Sequence, residues 1–195
     1  MTDPKDGQAV RDCLSTRRTV HRFSPEPIPD GAVDRALEAA VAAPNHKLTY
    51  PWRFTRVGSE GRAAIEDLYV RLKEESKGAL TDEQERAYRR KVGQPPELVV
   101  PSQVLADDDF TRREDYAAVA CAIQNLMISL WSEEVHSKWT TGSVTRHPET
   151  YDLLGIDGGE EEIVGFVWIG YVHEDRRDRE KPPRPSLDEI VRDVS

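Results

Sequence analysis

Arginines and a threonine hydroxyl stand close together in Arg17-Arg18-Thr19-Val20-His21-Arg22. Guanidinium forks beside a hydroxyl are suited to gripping a phosphate. Taken alone, the same run also reads as a solvated basic patch or a set of salt-bridge partners. A second donor-rich stretch, Asn45-His46-Lys47, lies between Pro44 and Pro51. A polar loop held between two prolines is a candidate ligand loop, or simply a connection. A third, Trp139-Thr140-Thr141-Gly142, sets an aromatic plane beside two hydroxyls and a flexible backbone. It can edge a planar heterocycle, and it can equally be an ordinary strand end.

Side-chain catalysis finds little support. The five histidines, His21, His46, His136, His147 and His173, show no His-x-x-x-His pairing, so metal chemistry is not expected. There is no Gly-x-Ser-x-Gly elbow. No Gly-x-Gly-x-x-Gly follows a predicted strand, so the usual dinucleotide fingerprint is missing. An enzyme built this way would leave the reactive atoms to a cofactor.

The 195 residues fit one domain, 1–195. They carry a net charge of −9, which repels nucleic acid and anionic lipid and argues against both as partners. A phosphate ligand would then need a local cluster of cations. The charged fraction is 32% against 37% hydrophobic. That balance predicts a thin core, or one completed by a partner subunit. Cys13 and Cys121 sit among apolar helical neighbours and are expected to be buried and inert. With no basic-apolar leader and no spanning apolar run, the reading is a cytoplasmic protein.

Periodicity supplies the elements that must position these residues. Residues Met1 to Gly7 look frayed, and a first helix runs from Ala9 to Arg17. Pro25, Pro27 and Pro29 force an extended linker. Asp30 is the expected N-cap of a second helix whose face is Val33, Leu37, Ala40 and Val41. Trp52 to Val57 reads as a strand, followed by a helix with Ile65, Leu68 and Leu72 inward. Thr81 and Gln84 form a capping box that opens a solvated helix through Lys91. Leu98 to Leu105 is a strand in which Pro101 predicts an edge or a bulge. Asp107-Asp108-Asp109 reads as an acidic loop, and Tyr116 to Trp131 as the central buried helix. A strand from Val135 into a turn follows, then a short helix, Thr150 to Gly155. Glu162 to Val172 is the strongest strand, and Ser186 with Glu189 caps a terminal helix. Helices around three or four strands with no regular βαβ spacing predict an α+β fold.

In this order the pieces resemble the nitroreductase family of flavoproteins. The opening Arg17-Arg18-Thr19-Val20-His21-Arg22-Phe23, then Pro27-Ile28-Pro29 and Leu37-Glu38-Ala39-Ala40, is similar to the family's Arg-Arg-Ser-x-Arg-x-Phe, Ile-Pro and Leu-Glu-Ala-Ala. Ala43-Pro44-Asn45-His46-Lys47 through Pro51-Trp52-Arg53-Phe54 resembles Ala-Pro-Ser-x-x-Asn-x-Gln-Pro-Trp-x-Phe, in the Asn-His-Lys form of a compact branch. The central helix, Trp139, Leu154-Gly155-Ile156, Val164-Gly165-Phe166, Gly170-Tyr171 and Arg184-Pro185 complete the match. It covers nearly the whole chain.

The resemblance implies an intertwined α+β homodimer, with helices around a central, mostly antiparallel sheet and two FMN sites at the interface. NADH or NADPH would reduce the flavin, and a small-molecule acceptor would reoxidise it. Arg17 and Thr19 would hold the phosphate and ribityl region, with Arg18 a second candidate there. Asn45, His46 and Lys47 would approach the flavin from their loop. Trp139, Thr140 and Thr141 would line the site from the other subunit, and Arg184 would reach the phosphate. The chain departs from the pattern at His21, where Lys or Arg is usual near flavin N1 and O2. It departs again at Tyr50, which replaces a Gln, and at Glu133 to Ser137, where a Gly-rich turn is common.

Overall fold

The computed structural model describes residues 4–176 and 183–194. The elements are α1 (Pro4–Thr16), α2 (Ala32–Val41), β1 (Trp52–Arg56), α3 (Ser59–Lys77), α4 (Asp82–Gly93) and β2 (Glu97–Val104). They continue with α5 (Asp109–Ser132), β3 (His136–Thr140), α6 (Pro148–Leu154), β4 (Glu161–Ile163), β5 (Phe166–Gly170) and α7 (Leu187–Ile190). Every described strand pair is antiparallel, in the order β1-β2-β5-β3, with β4 also on β2. The fold is therefore the expected α+β, nitroreductase-like arrangement of helices about an antiparallel sheet.

The sheet has two apolar faces, each with its own cover. One face packs Val99, Val167 and Ile169 against α2 and α5, through Ala36, Ala40, Val119, Ile123 and Leu126. The other sets Leu98, Val100, Phe166 and Trp168 against Ile65 and Leu68 of α3 and Val92 of α4. Alternate residues of β2 and β5 thus serve opposite cores, as the two-residue pleat requires. No helix among the described residues is long and apolar enough to cross a membrane.

Several expectations change. The first helix begins at Pro4 rather than Ala9, so Pro4 to Gly7 are helical. Gly31, with φ 75°, precedes α2 where Asp30 was expected to cap it, and no side-chain cap bond forms there. Val41 is exposed, and Ala36 takes its place in the buried face. Asp108 is not plain loop: its Oδ1 accepts from Thr111 N at 2.9 Å and caps α5, whose first turn begins at Asp109.

Pro101 sits in a central strand, not at an edge. Phe54 of β1 faces it on one side. On the other, β2 changes partner from β5 to β4, and Val100 and Pro101 stand opposite Val164, Gly165 and Phe166. This extra residue is a bulge, and Pro101 lies within it, accepting from Val164 N at 2.9 Å. The bulge also splits the single strand expected from Glu162 to Val172 into β4 and β5.

The cysteines differ from the buried reading. Cys121 is exposed and Cys13 half-buried, both as free thiols. The reason is that α5 is covered where it meets α2 and the sheet, while its remaining side is open. Tyr116, Ala117 and Cys121 face outward, as do Val10 and Leu14 of α1.

Candidate functional site

Helix α1 ends where Arg17 N donates to Cys13 O at 3.0 Å. The chain then runs extended along the free edge of β3, with Val20 N donating to Ser137 O at 3.3 Å. Farther on, Phe23 bridges Val172, and His173 N donates to Arg22 O at 3.0 Å. Val20 and Phe23 are the buried anchors of this segment. Burying those two apolar residues fixes the run, and it leaves Thr19 and His21 exposed.

The arginines have distinct fates. Arg22 is paired with Asp175 at 2.8 Å and so leaves the phosphate cluster suggested by spacing. Arg18 is half-buried. Arg17 is half-buried too, and its pKa is lowered, first by burial and then by the like charge of Arg184. Arg184, far along the chain, thus lies near enough for its charge to act on Arg17. Among the described residues Arg17 has no carboxylate partner. Holding like charges together without an acid raises the energy of the empty cluster, and a bound anion relieves that cost.

Beside this cluster stands β3. Trp139 is half-buried against the core shared with α5, and its Nε1 is buried with no hydrogen-bond partner. A donor left without a partner inside a protein is costly, and such a group calls for a missing ligand or water. Gly165 permits the position: a Cβ there would press within 3 Å of the indole and of Thr140 O. Thr140 points to the opposite face. Its Oγ1 accepts from Trp168 Nε1 at 3.0 Å. Thr141 is exposed.

The Asn45 to Lys47 loop is built differently. Asn45 Oδ1 accepts from Tyr50 N at 3.0 Å and closes the loop on itself. His46 Nδ1 lies 2.8 Å from Glu114 Oε2, and Thr49 Oγ1 donates to buried Asp115 at 2.7 Å. Lys47, Leu48 and Tyr50 all adopt left-handed φ of 46–55° without being glycine. Such a run is strained, and it persists because the two carboxylates of α5 hold it from below. Sequence reasoning missed Glu114 and Asp115. They belong to a helix more than sixty residues away, and nothing local marks them.

The separation of these parts is informative. The Arg17 end of α1 touches the last turn of α5, where Trp131 Nε1 donates to Thr16 Oγ1 at 3.0 Å. The His46 loop is held at residue 114, near the first turn. Seventeen residues of helix put the two about 25 Å apart. Within one chain, β3 is the neighbour of Arg17, and the His46 loop is not.

The turn after α5 is the third departure named above. Glu133 accepts from Arg35 Nε at 2.9 Å and Nη2 at 2.5 Å, tying α5 to α2. Glu134 carries φ 59°, the conformation in which a glycine is at ease. The backbone keeps the shape although the residue is not Gly.

Comparison with known proteins agrees with this architecture. The model of the Nitroreductase family matches residues 14–171. The chain is 28% identical over 175 residues to the Bacillus subtilis protein named "Putative NAD(P)H nitroreductase YfhC", covering 89% of this chain and 90% of that one. It is 32% identical to the 5,6-dimethylbenzimidazole synthase of Rhodospirillum rubrum, over 96% of this chain and 90% of that one. The crystal structure of the FMN-dependent nitroreductase NfnB from Mycobacterium smegmatis in complex with NADPH superposes with a TM-score of 0.79. That pair covers 97% and 99% of the two chains at 16% identity, so it speaks for the fold alone. A family match spanning most of the chain, on a sheet and helices of the same arrangement, places this protein in the Nitroreductase family.

Proposed function

We propose that the protein is a cytoplasmic, homodimeric, FMN-dependent oxidoreductase. It draws electrons from NADH or NADPH and passes them to a nitroaromatic, a quinone or an activated alkene. The observation that carries this reading is that Arg17, half-buried and with no acid on it among the described residues, feels the like charge of Arg184 and precedes the segment that runs along β3, the strand of the unpartnered Trp139 Nε1. A phosphate dianion offsets the repulsion of the two guanidiniums, and their forks fit its oxygens. The residues present therefore suit a flavin mononucleotide. When bound, it supplies hydride acceptance from the nicotinamide and electron delivery to the acceptor.

The chain's own residues bind, orient and shield. Arg17 and Arg184 hold the phosphate, with Arg18 and Thr19 beside them. Trp139 walls one side and keeps water from it. His21 stands on the exposed side of the same run. The Asn45 to Lys47 loop, about 25 Å away along α5, reaches this site only from a second copy. That arrangement differs from the one the resemblance implied, in which Trp139 to Thr141 came from the partner. Here β3 serves the Arg17 of its own chain, and the loop is the contribution lent across the dimer.

Rapid mixing of the FMN-loaded protein with NADPH or NADH tests the assignment. The flavin's visible absorbance should bleach within a turnover and return when the acceptor is added. A second reading is a flavin-binding or flavin-degrading homologue with little reductase activity. The non-glycine turn at Glu134 and the likeness to the 5,6-dimethylbenzimidazole synthase favour it. A bound flavin that neither nucleotide bleaches would establish that reading instead.

A further inference from the structure

A second cluster of cations lies on the other face of the sheet. Lys138 of β3 is 3% exposed, yet no hydrogen bond or ion pair reaches its ammonium among the described residues. Burial, and then the like charge of Lys91 on α4, disfavours its charged form. Lys91 Nζ is 6.0 Å from the Tyr69 ring centroid, and Lys73 Nζ is 5.1 Å from the same ring. Lys77 Nζ donates to Tyr88 Oη at 2.8 Å, and Tyr69 and Tyr88 meet edge to face at 6.0 Å. Tyr69, Lys73 and Lys77 share one stripe of α3, four residues apart, while Tyr88 and Lys91 face them from α4.

This basic corner stands out in a chain of net charge −9. Three carboxylates of the same helical hairpin do not neutralise it. Asp67, Glu66 and Glu85 are gathered instead around Arg89, at 2.7, 3.3 and 2.8 Å. A lysine usually extends its ammonium to water or to an acid. Here the stem is buried and no acid meets the ammonium among the described residues, an arrangement that an anion would complete.

We infer that Lys138, Lys91 and the Tyr69–Tyr88 hairpin form a binding site for a dianionic oxyanion, a phosphate group, separate from the Arg17 cluster. The separation is structural. Lys138 shares its face with Trp168 and the α3–α4 core, whereas Trp139 packs toward α5. The phosphate is either the free ion or the monoester of a larger molecule. The tyrosines offer hydroxyl and ring contacts to the second kind. The site does not depend on the flavin reading.

Calorimetric titration of inorganic phosphate, and separately of adenosine monophosphate, into FMN-saturated protein tests it. With FMN in excess, the Arg17 cluster is not available to the probe. Saturable binding of one ion per chain is expected. Lys138→Met should weaken it at least about ten-fold, the worth of a buried charge-assisted contact. Lys91→Gln, on the exposed side, should weaken it roughly two- to five-fold. Tighter binding of the monoester identifies an ester ligand, and binding of inorganic phosphate alone identifies the free ion. Absence of saturable binding of either probe overturns the site, as does a Lys138→Met protein that binds as well as the parent. If flavin reduction fails while phosphate binding survives, only the functional reading falls.

Discussion

At the scale of single residues, the energetics turn on which cations are neutralised. Arg22 has Asp175, while among the described residues no acid pairs with Arg17, which feels the like charge of Arg184. Arg17→Ala should therefore weaken FMN binding by about 1.5–3 kcal/mol, or ten- to a hundred-fold. Arg22→Ala should change it less than three-fold. Fluorescence titration of both variants checks the ranking, and equal losses would contradict it. Spacing alone could not separate the two arginines, because the acid that claims Arg22 lies far along the chain. Lys138 was hidden for a related reason. Alternation along a strand assigns a lysine to the solvent side, and only the packing of α3 and α4 shows that this side is covered. Burial lowers the pKa of Lys138 to about 8, with Lys91 adding to the shift. A base with a depressed folded pKa holds fewer protons folded than unfolded between pH 8 and the unfolded value of about 10.5. Stability contributed by this group thus rises with pH across that window. Lys138→Met should be more stable than the parent at pH 7, by on the order of 1–3 kcal/mol. The advantage should shrink as pH climbs from 8 toward 10. Urea unfolding at a series of pH values measures it, and an unstable or pH-independent variant would refute the buried charge.

At the scale of elements, local signals were good guides where a single turn decides the outcome. Thr81 and Gln84 form the predicted capping box, and Ser186 and Glu189 do the same. They were poor guides where the partner is remote. The proline in β2 could be read as an edge or a bulge, and only the pairing of β4 and β5 resolves which. Gly165 in that bulge is needed for close approach. Gly165→Ala would drive a methyl into the Trp139 ring and Thr140 O, with both fixed in a sheet. A loss of about 1–3 kcal/mol is expected, with a change in near-ultraviolet dichroism as the indole shifts. An unperturbed spectrum and stability would mean that Trp139 is not locked there. The Glu134 turn should respond in the opposite sense. A left-handed non-glycine residue costs about 1–2 kcal/mol, and glycine's extra chain entropy returns part of it. Glu134→Gly should therefore stabilise by roughly 0.5–1 kcal/mol in urea unfolding. A destabilised variant would show that the Glu134 side chain has a role of its own.

At the scale of the whole molecule, the chain leaves apolar surface unclaimed. Val10 and Leu14 of α1, Phe110 and Tyr116 of α5, and Leu187 and Ile190 of α7 are all exposed. A thin core was legible in the composition, and the class of fold in the order of the elements. Which face stays open was not, since the open side of α5 carries small and amphipathic residues that also suit a buried helix. In the proposed homodimer a second copy covers this surface and brings the His46 loop of one copy to the Arg17 cluster of the other. Light scattering at low micromolar concentration should give about twice the 22.1 kDa chain mass. The most direct test of the shared site is the FMN capacity of a mixed dimer. One chain carries Arg17→Ala, the other carries Asn45→Ala with His46→Ala, and each variant is also measured alone. If the site is built across two copies, the mixed dimer regains one site of parental affinity where both parents bind weakly. If each chain holds a complete site, the mixture shows only the weakened binding of its two components, and the account fails.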